Sequence, residues 1–372
     1  MNQTDTYERA LDLLLRYKPE VVELTGSLTT EHPDFAMGNA LMAYLCLTAT
    51  DVPELAAARA AHGQMGCSPM DAHSTMHMAA IGAWLGGDWL RAAAILDEIL
   101  FAWPTDVLAL QVGHLLDFFV GNARSLRDRP ARALEAFERT DPRAAAVRGM
   151  YAFGLEECGQ YDKAEDVGME AIDAHPDDVW AIHAVGHTLE MRGLVDRGIP
   201  FLRSRIDDWG TGNLFVVHNW WHLSLFELEA GHHAEVFDIY DRHLHNQSSS
   251  GLPLEMLDAS ALLWRLKLDG IDSGDRFAAL ADAWASRTAE QPWYVFNDVH
   301  AAMAFAGAGR FAEVSAVIDK MGLDVPAEAA VTNTTMTAEV GRPAALAVQA
   351  FAEDRHDDVV EALAPIRRTL HR

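Results

Sequence analysis

Seven glycines constrain this chain more than any other feature. Gly87, Gly121, Gly159, Gly193, Gly231, Gly270 and Gly309 are separated by 34, 38, 34, 38, 39 and 39 residues. The stretches "AWLGGDWLRAAAILDEILFAWPTD" and "FGLEECGQYDKAEDVGMEAIDAHPDD" share more than the glycine. Gly87, Trp89, Ala92 and Pro104 match Gly159, Tyr161, Ala164 and Pro176 at a constant offset of 72. Each repeat reads as two helices. The glycine ends the first by taking the left-handed conformation. The alanine lets the pair approach, and the proline stops the second helix. Apolar residues recur at helical spacing throughout, and strand signals are weak. A period of this length is that of a helix–turn–helix unit of the tetratricopeptide kind.

The expected fold is all-α, a right-handed tetratricopeptide-like superhelix of helical hairpins enclosing a central cavity. It is read as a single helical-repeat domain over 1–372. Degenerate N-terminal units cover about 5–65, clear repeats about 69–322, and a looser C-terminal unit, its glycine lost, about 329–370. A length of 372 residues is long for one compact core but ordinary for a stacked array.

Composition excludes several partner classes. The formal net charge is −26, so a polyphosphate would be repelled and nucleic acid is not an expected partner. Lys18, Lys163, Lys267 and Lys320 are the only lysines, and none stands in a phosphate-loop motif. No run of ~20 apolar residues suggests a membrane span. The N-terminus lacks the pattern of a signal peptide, and Cys46, Cys67 and Cys158 form no CxxC pair. A reducing cytoplasm is the expected location.

The histidines follow the repeat. His77 and His183 each stand ten residues before their glycine, and His222 and His300 stand nine before theirs. All four fall at one level on first helices, which line the inner face of such arrays. Around them, again on first helices, are His187, His218, Glu190, His114, Tyr151, Asp258, Asn297 and Asp298. "HAVGH" and "HNWWH" each place two imidazoles on one helix face, within about 40° of each other. Glu190 shares the first of these faces, and Arg265 shares a face with Asp258. Trp180, Trp221 and Asn219 complete a candidate pocket wall; Trp220 points about 100° away from Trp221 and is expected to pack between helices.

Three readings of this cluster stay open. A lone histidine on an apolar face is ordinarily a core residue with its partners, so a structural polar core is the plainest. General acid–base chemistry on a small organic molecule, hydrolytic or bond-cleaving, is the favoured one. In it His183 and His222 form the central pair, with His187, His218 and His300 beside them and Glu190 and Asp258 orienting the rings. His77, His114, Tyr151, Trp180, Trp221, Asn219, Asp258, Arg265 and Asp298 would hold the substrate, and no cofactor is needed. In the third, His183, His187, His218 and His222 hold a divalent metal. The HExxH pattern is absent, because Ala184 stands where its glutamate would be.

The blocks "MHMAAIGAWLGGDWLRAAAILDEIL", "PTDVLALQVGHLLDFFVGN", "MYAFGLEECGQYDKAE", "WAIHAVGHTLEMRG", "HNWWHLSLFELEAG", "YDRHL", "LDASALLWRLKLDG" and "FNDVHAAMAFAGAGR" together resemble the tetratricopeptide repeat protein 38 family. The resemblance runs in consistent order over roughly 30–310. It implies the repeat architecture and transfers little function. Because most tetratricopeptide arrays bind peptides or proteins, a non-enzymatic scaffold with a protein partner is the alternative to the enzyme. The inner face is poor in the lysines that commonly grip peptides, which favours a small ligand.

Overall fold

All seven ladder glycines take a positive φ, between 66° and 82°. Each lies two residues beyond the last residue of a helix. The amide just after the glycine, three places past the helix end, closes the turn: Asp88 N–H donates to the Ala83 carbonyl at 3.0 Å, and Gln160 N–H to Leu155 at 2.9 Å. These bonds satisfy carbonyls that the helix end would leave open.

Three residues that are not glycine do the same work. Tyr17, Thr50 and Asp354 have φ of 54°, 53° and 57°. Each again stands two residues after a helix, namely Gln3–Leu15, Ala36–Thr48 and Arg342–Ala352. Arg355 N–H closes the last turn on the Ala350 carbonyl at 2.9 Å. The ladder therefore extends to both ends of the chain and marks ten hairpins among the described residues.

In this computed structural model the described residues are 2–138, 140–287, 293–321 and 331–368. The edges of the expected C-terminal unit, at 329–330 and 369–370, lie outside them. Every regular element among the described residues is helical, including single π-helical turns at Tyr240–Leu244 and Thr337–Gly341. No helix among them is long and apolar enough to cross a membrane.

Six of the described helices start where a short polar side chain caps them. Asp106 accepts from Ala109 N–H at 2.8 Å and Asp178 from Ala181 N–H at 3.0 Å, each just after the proline that ended the previous helix. Within and between hairpins, small residues set the approach. Ala92 and Ala164 are fully buried. A Cβ on Gly154 would run into the backbone of Leu126 and Arg127, so helices Ala123–Leu134 and Arg143–Glu157 can cross closely only over glycine.

The chain packs as two compact units. The first is 1–48 with 54–236; the second is 237–372 with the short segment 49–53. In the second unit, Asn297 Nδ2 donates to the Thr50 carbonyl at 3.1 Å, and Arg287 Nη1 lies 2.6 Å from Asp51 Oδ1. Those bonds hold 49–53 in place, and with it the left-handed Thr50.

Candidate functional site

Two neighbouring helices of the first unit, Val179–Met191 and Val216–Glu229, carry the central group. The four-residue spacing puts His183 and His187 one turn apart on the first, and His218 and His222 one turn apart on the second. The helices bring the two pairs face to face. His218 Nε2 lies 3.2 Å from His183 Nε2 and 3.1 Å from His222 Nε2. The His187 ring is centred 4.4 Å from His183 and 4.3 Å from His222. One ring nitrogen from each of the four lies within 4.8 Å of the others.

Carboxylates stand behind the rings. Glu190 Oε2 is 2.9 Å from His222 Nδ1, close enough to accept its proton. Glu156 Oε2, on the preceding inner helix, is 3.6 Å from His187 Nδ1. His183 and His222 are buried, whereas about a fifth of the His187 side chain, 22%, is exposed. Burial, reinforced by the neighbouring imidazoles, holds His183 and His187 well below the ordinary histidine range, so both are neutral near pH 7. Burial and the charges of Glu157 and Glu190 push the Glu156 carboxyl up to about 8.

Aromatic rings enclose this group. Trp180, Phe153 and Phe215 centre 5.1, 5.1 and 4.9 Å from His183. Trp221 stacks on His218 at 5.2 Å, and Tyr17 backs Trp180 at 5.5 Å, nearly parallel. Trp220 turns the other way, 4.8 Å from Trp209. Asn219 is buried between helices and donates to the Val179 carbonyl. Of the residues expected from sequence, His183, His187, His218, His222, Glu190, Trp180 and Trp221 are thus brought together.

The others are placed elsewhere. His77 belongs to a separate group: its Nε2 is 3.0 Å from Asp106 Oδ2, which also bonds His73, and its Nδ1 is 3.1 Å from the Tyr44 hydroxyl. His114 lies behind Trp180, its ring 5.4 Å away, and both its nitrogens are buried with no hydrogen-bond partner. Burial pushes its imidazole down to about 3. Tyr151 is engaged by Lys163 Nζ at 2.6 Å. Asp258, Arg265, Asp298 and His300 belong to the second unit, where His300 Nδ1 donates to the Phe296 carbonyl at 2.7 Å. Equal height on the repeat thus selects only adjacent helices as partners. Packed helices stand about 8–10 Å apart, so imidazoles several helices apart do not meet at one point.

Two participants went unnoticed in the sequence. Glu156 stands three residues before Gly159, as Glu190 stands three before Gly193. His73 repeats the same four-residue histidine spacing in "HSTMH". The first signal is legible in the glycine ladder and the second in the histidine spacing.

No family model matches the chain. Among solved structures, it is similar to Rap protein complexed with competence and sporulation factor, at 10% identity, covering 98% of this chain and 99% of that one, with a TM-score of 0.52. It also aligns with yeast Tom70 at 8% identity, covering 99% of this chain and 84% of the other, at a TM-score of 0.49. The first likeness carries the tetratricopeptide-like helical-repeat fold. It does not reach the narrower resemblance to the tetratricopeptide repeat protein 38 family.

Proposed function

We propose that the first unit is a transition-metal-binding module, with His183, His187, His218 and His222 as the ligands. The observation that carries this reading is the run of three Nε2 atoms, with His218 3.2 Å from His183 and 3.1 Å from His222. A metal about 2.0–2.1 Å from each imidazole nitrogen sets neighbouring ligand nitrogens roughly 2.9 Å apart at right angles and roughly 3.4 Å apart at the tetrahedral angle. Both contacts fall between those limits.

Proton counting supports the same reading. Glu190 at 2.9 Å draws the His222 proton to Nδ1 and leaves a lone pair on Nε2. With neutral rings, one proton on His218 Nε2 would have to serve two acceptor nitrogens. A cation among the lone pairs removes the conflict. Glu190 then orients its ligand as carboxylates commonly do behind metal-bound histidine. Four imidazoles suit zinc, copper, nickel, cobalt or iron and not magnesium or calcium.

The test is metal analysis of protein purified without chelator or nickel chromatography. About one equivalent is expected, and a His218→Ala, His222→Ala double variant should lose it. Failure to take up zinc or cobalt even after dialysis against either ion would sink the reading.

A second reading, a repeat scaffold that holds a protein or peptide partner, is favoured by the likeness to Rap over 98% of the chain. At that identity the likeness speaks for the fold, and the partner is our inference. It is compatible with a bound metal and is separated from it by whether the metal-free variant still engages the partner. The hydrolase or lyase expected from sequence has less behind it. Its imidazole nitrogens are turned on one another, and a fold-level likeness at 10% identity carries no such chemistry.

A further inference from the structure

The second unit contains a cavity of about 120 Å³, far more than one water needs. Three aromatic residues line it: Trp284, Trp293 and Tyr294. Thr50, Asn297 and Asp298 supply polar edges. Helix Val295–Gly307 places Asn297 and Asp298 next to each other in its first turn.

Two oxygens on this wall lack partners. Asp298 Oδ2 and Asn297 Oδ1 are buried and receive no hydrogen bond. Asn297 is fixed by its amide nitrogen, which donates to the Thr50 carbonyl at 3.1 Å and hydroxyl at 3.3 Å. Its oxygen is therefore the free end of a positioned side chain. Leaving such acceptors unsatisfied is costly, so each calls for a donor.

The nearby charges narrow the choice of donor. Arg287 is taken by Asp51 at 2.6 Å, and Glu313 by Arg310 at 2.9 Å. Lys320 also lines the cavity and attracts the Asp298 carboxylate, but makes no hydrogen bond to Oδ2. An anion would meet the Asp298 carboxylate. A neutral apolar molecule would leave both oxygens unsatisfied. An ammonium group satisfies both and gains from aromatic neighbours through cation–π attraction.

We propose that this cavity binds a small primary amine in its ammonium form, with Asp298 and Asn297 accepting its protons and Trp284, Trp293 and Tyr294 walling its cationic end. The site is separate from the histidine group and needs no metal.

The experiment uses the full chain and butylammonium chloride, followed by tryptophan fluorescence and thermal shift, with sodium butyrate and 1-butanol as size-matched controls. Butylammonium should give a saturable response that neither control gives. Asp298→Asn, which keeps the shape and loses the charge, should weaken binding tenfold or more. Trp293→Leu should weaken it less. Circular dichroism checks that each variant keeps its helices, and His183→Ala, His222→Ala should bind butylammonium as the parent does. Three results would each overturn the proposal: no saturable response to butylammonium, equal response to butyrate, or undiminished binding in Asp298→Asn.

Discussion

His183 and His218, on neighbouring helices and 35 residues apart, bring their Nε2 atoms to 3.2 Å. That separation is close to the spacing of one repeat. Both imidazoles stand on the first helix of their hairpins, ten residues before Gly193 and thirteen before Gly231, and the stacking of hairpins turns that near-repeat into a side-chain contact. His222 then adds a third nitrogen on the same helix as His218, and Glu190 fixes its ring from the other side.

Cobalt(II) offers a direct view of the four-imidazole group. Added to metal-free protein, it should give visible d–d absorption that saturates near one equivalent. At a free-metal concentration about a hundred times Kd, the protein should gain about 2.7 kcal/mol. An unchanged melting temperature across the titration would contradict the assignment.

Glu190→Gln should preserve the helices and weaken metal affinity about 10–100-fold, because the amide is a poorer acceptor for His222 Nδ1–H. Competition with a chromophoric chelator measures this. Equal affinity in variant and parent would show that Glu190 does not support the site.

The left-handed caps give a paired stability test away from the histidines. At Gly270, with φ of 71°, an added Cβ meets nothing within 4 Å. Gly270→Ala should therefore destabilise by about 1–2 kcal/mol through backbone conformation alone. Asp354→Gly, at φ of 57°, should run the other way and stabilise by up to about 1 kcal/mol. Urea unfolding reads both, and the same sign for both would defeat the cap argument.

Burial pushes the Asp298 carboxyl up to about 7, with Lys320 pulling against it. Arg287 and Glu313 are the other charged groups on the cavity. The folded state holds this proton more tightly than the unfolded chain, whose Asp titrates near 3.9. Its contribution to stability is thus complete below about pH 4 and is lost as pH rises through about 7. Asp298→Asn cannot ionise, so its melting temperature should gain on the parent between those values and then hold a constant lead. A pH-independent difference would rule out the burial effect, and bound amine should shrink the lead.

Much of this architecture is legible in the sequence. The glycine ladder gives hairpin number and boundaries from Gly87 to Gly309, because a left-handed cap is a local requirement that glycine meets without strain. The same ladder puts His183 and His222 at matching heights, and Glu190 two turns further along the face that His183 occupies. What it could not supply were the caps at Tyr17, Thr50 and Asp354. At Thr50 and Tyr17 tertiary bonds, from Asn297 to Thr50 and from Leu214 N–H to the Tyr17 carbonyl, hold a residue whose own preference lies elsewhere.

Sequence alone determined the repeat, the helix ends and the face on which each histidine stands, since all three follow from bonds within about a dozen residues. Only the tertiary structure decided which faces meet. It joined His183 and His187 to His218 and His222, gave His77 to Asp106 and His73, and placed His300 and Asp298 in the second unit. The reason is physical. A side chain's height and angle on its helix are local, but its contacts depend on how neighbouring helices slide and cross, which packing sets through residues such as Gly154.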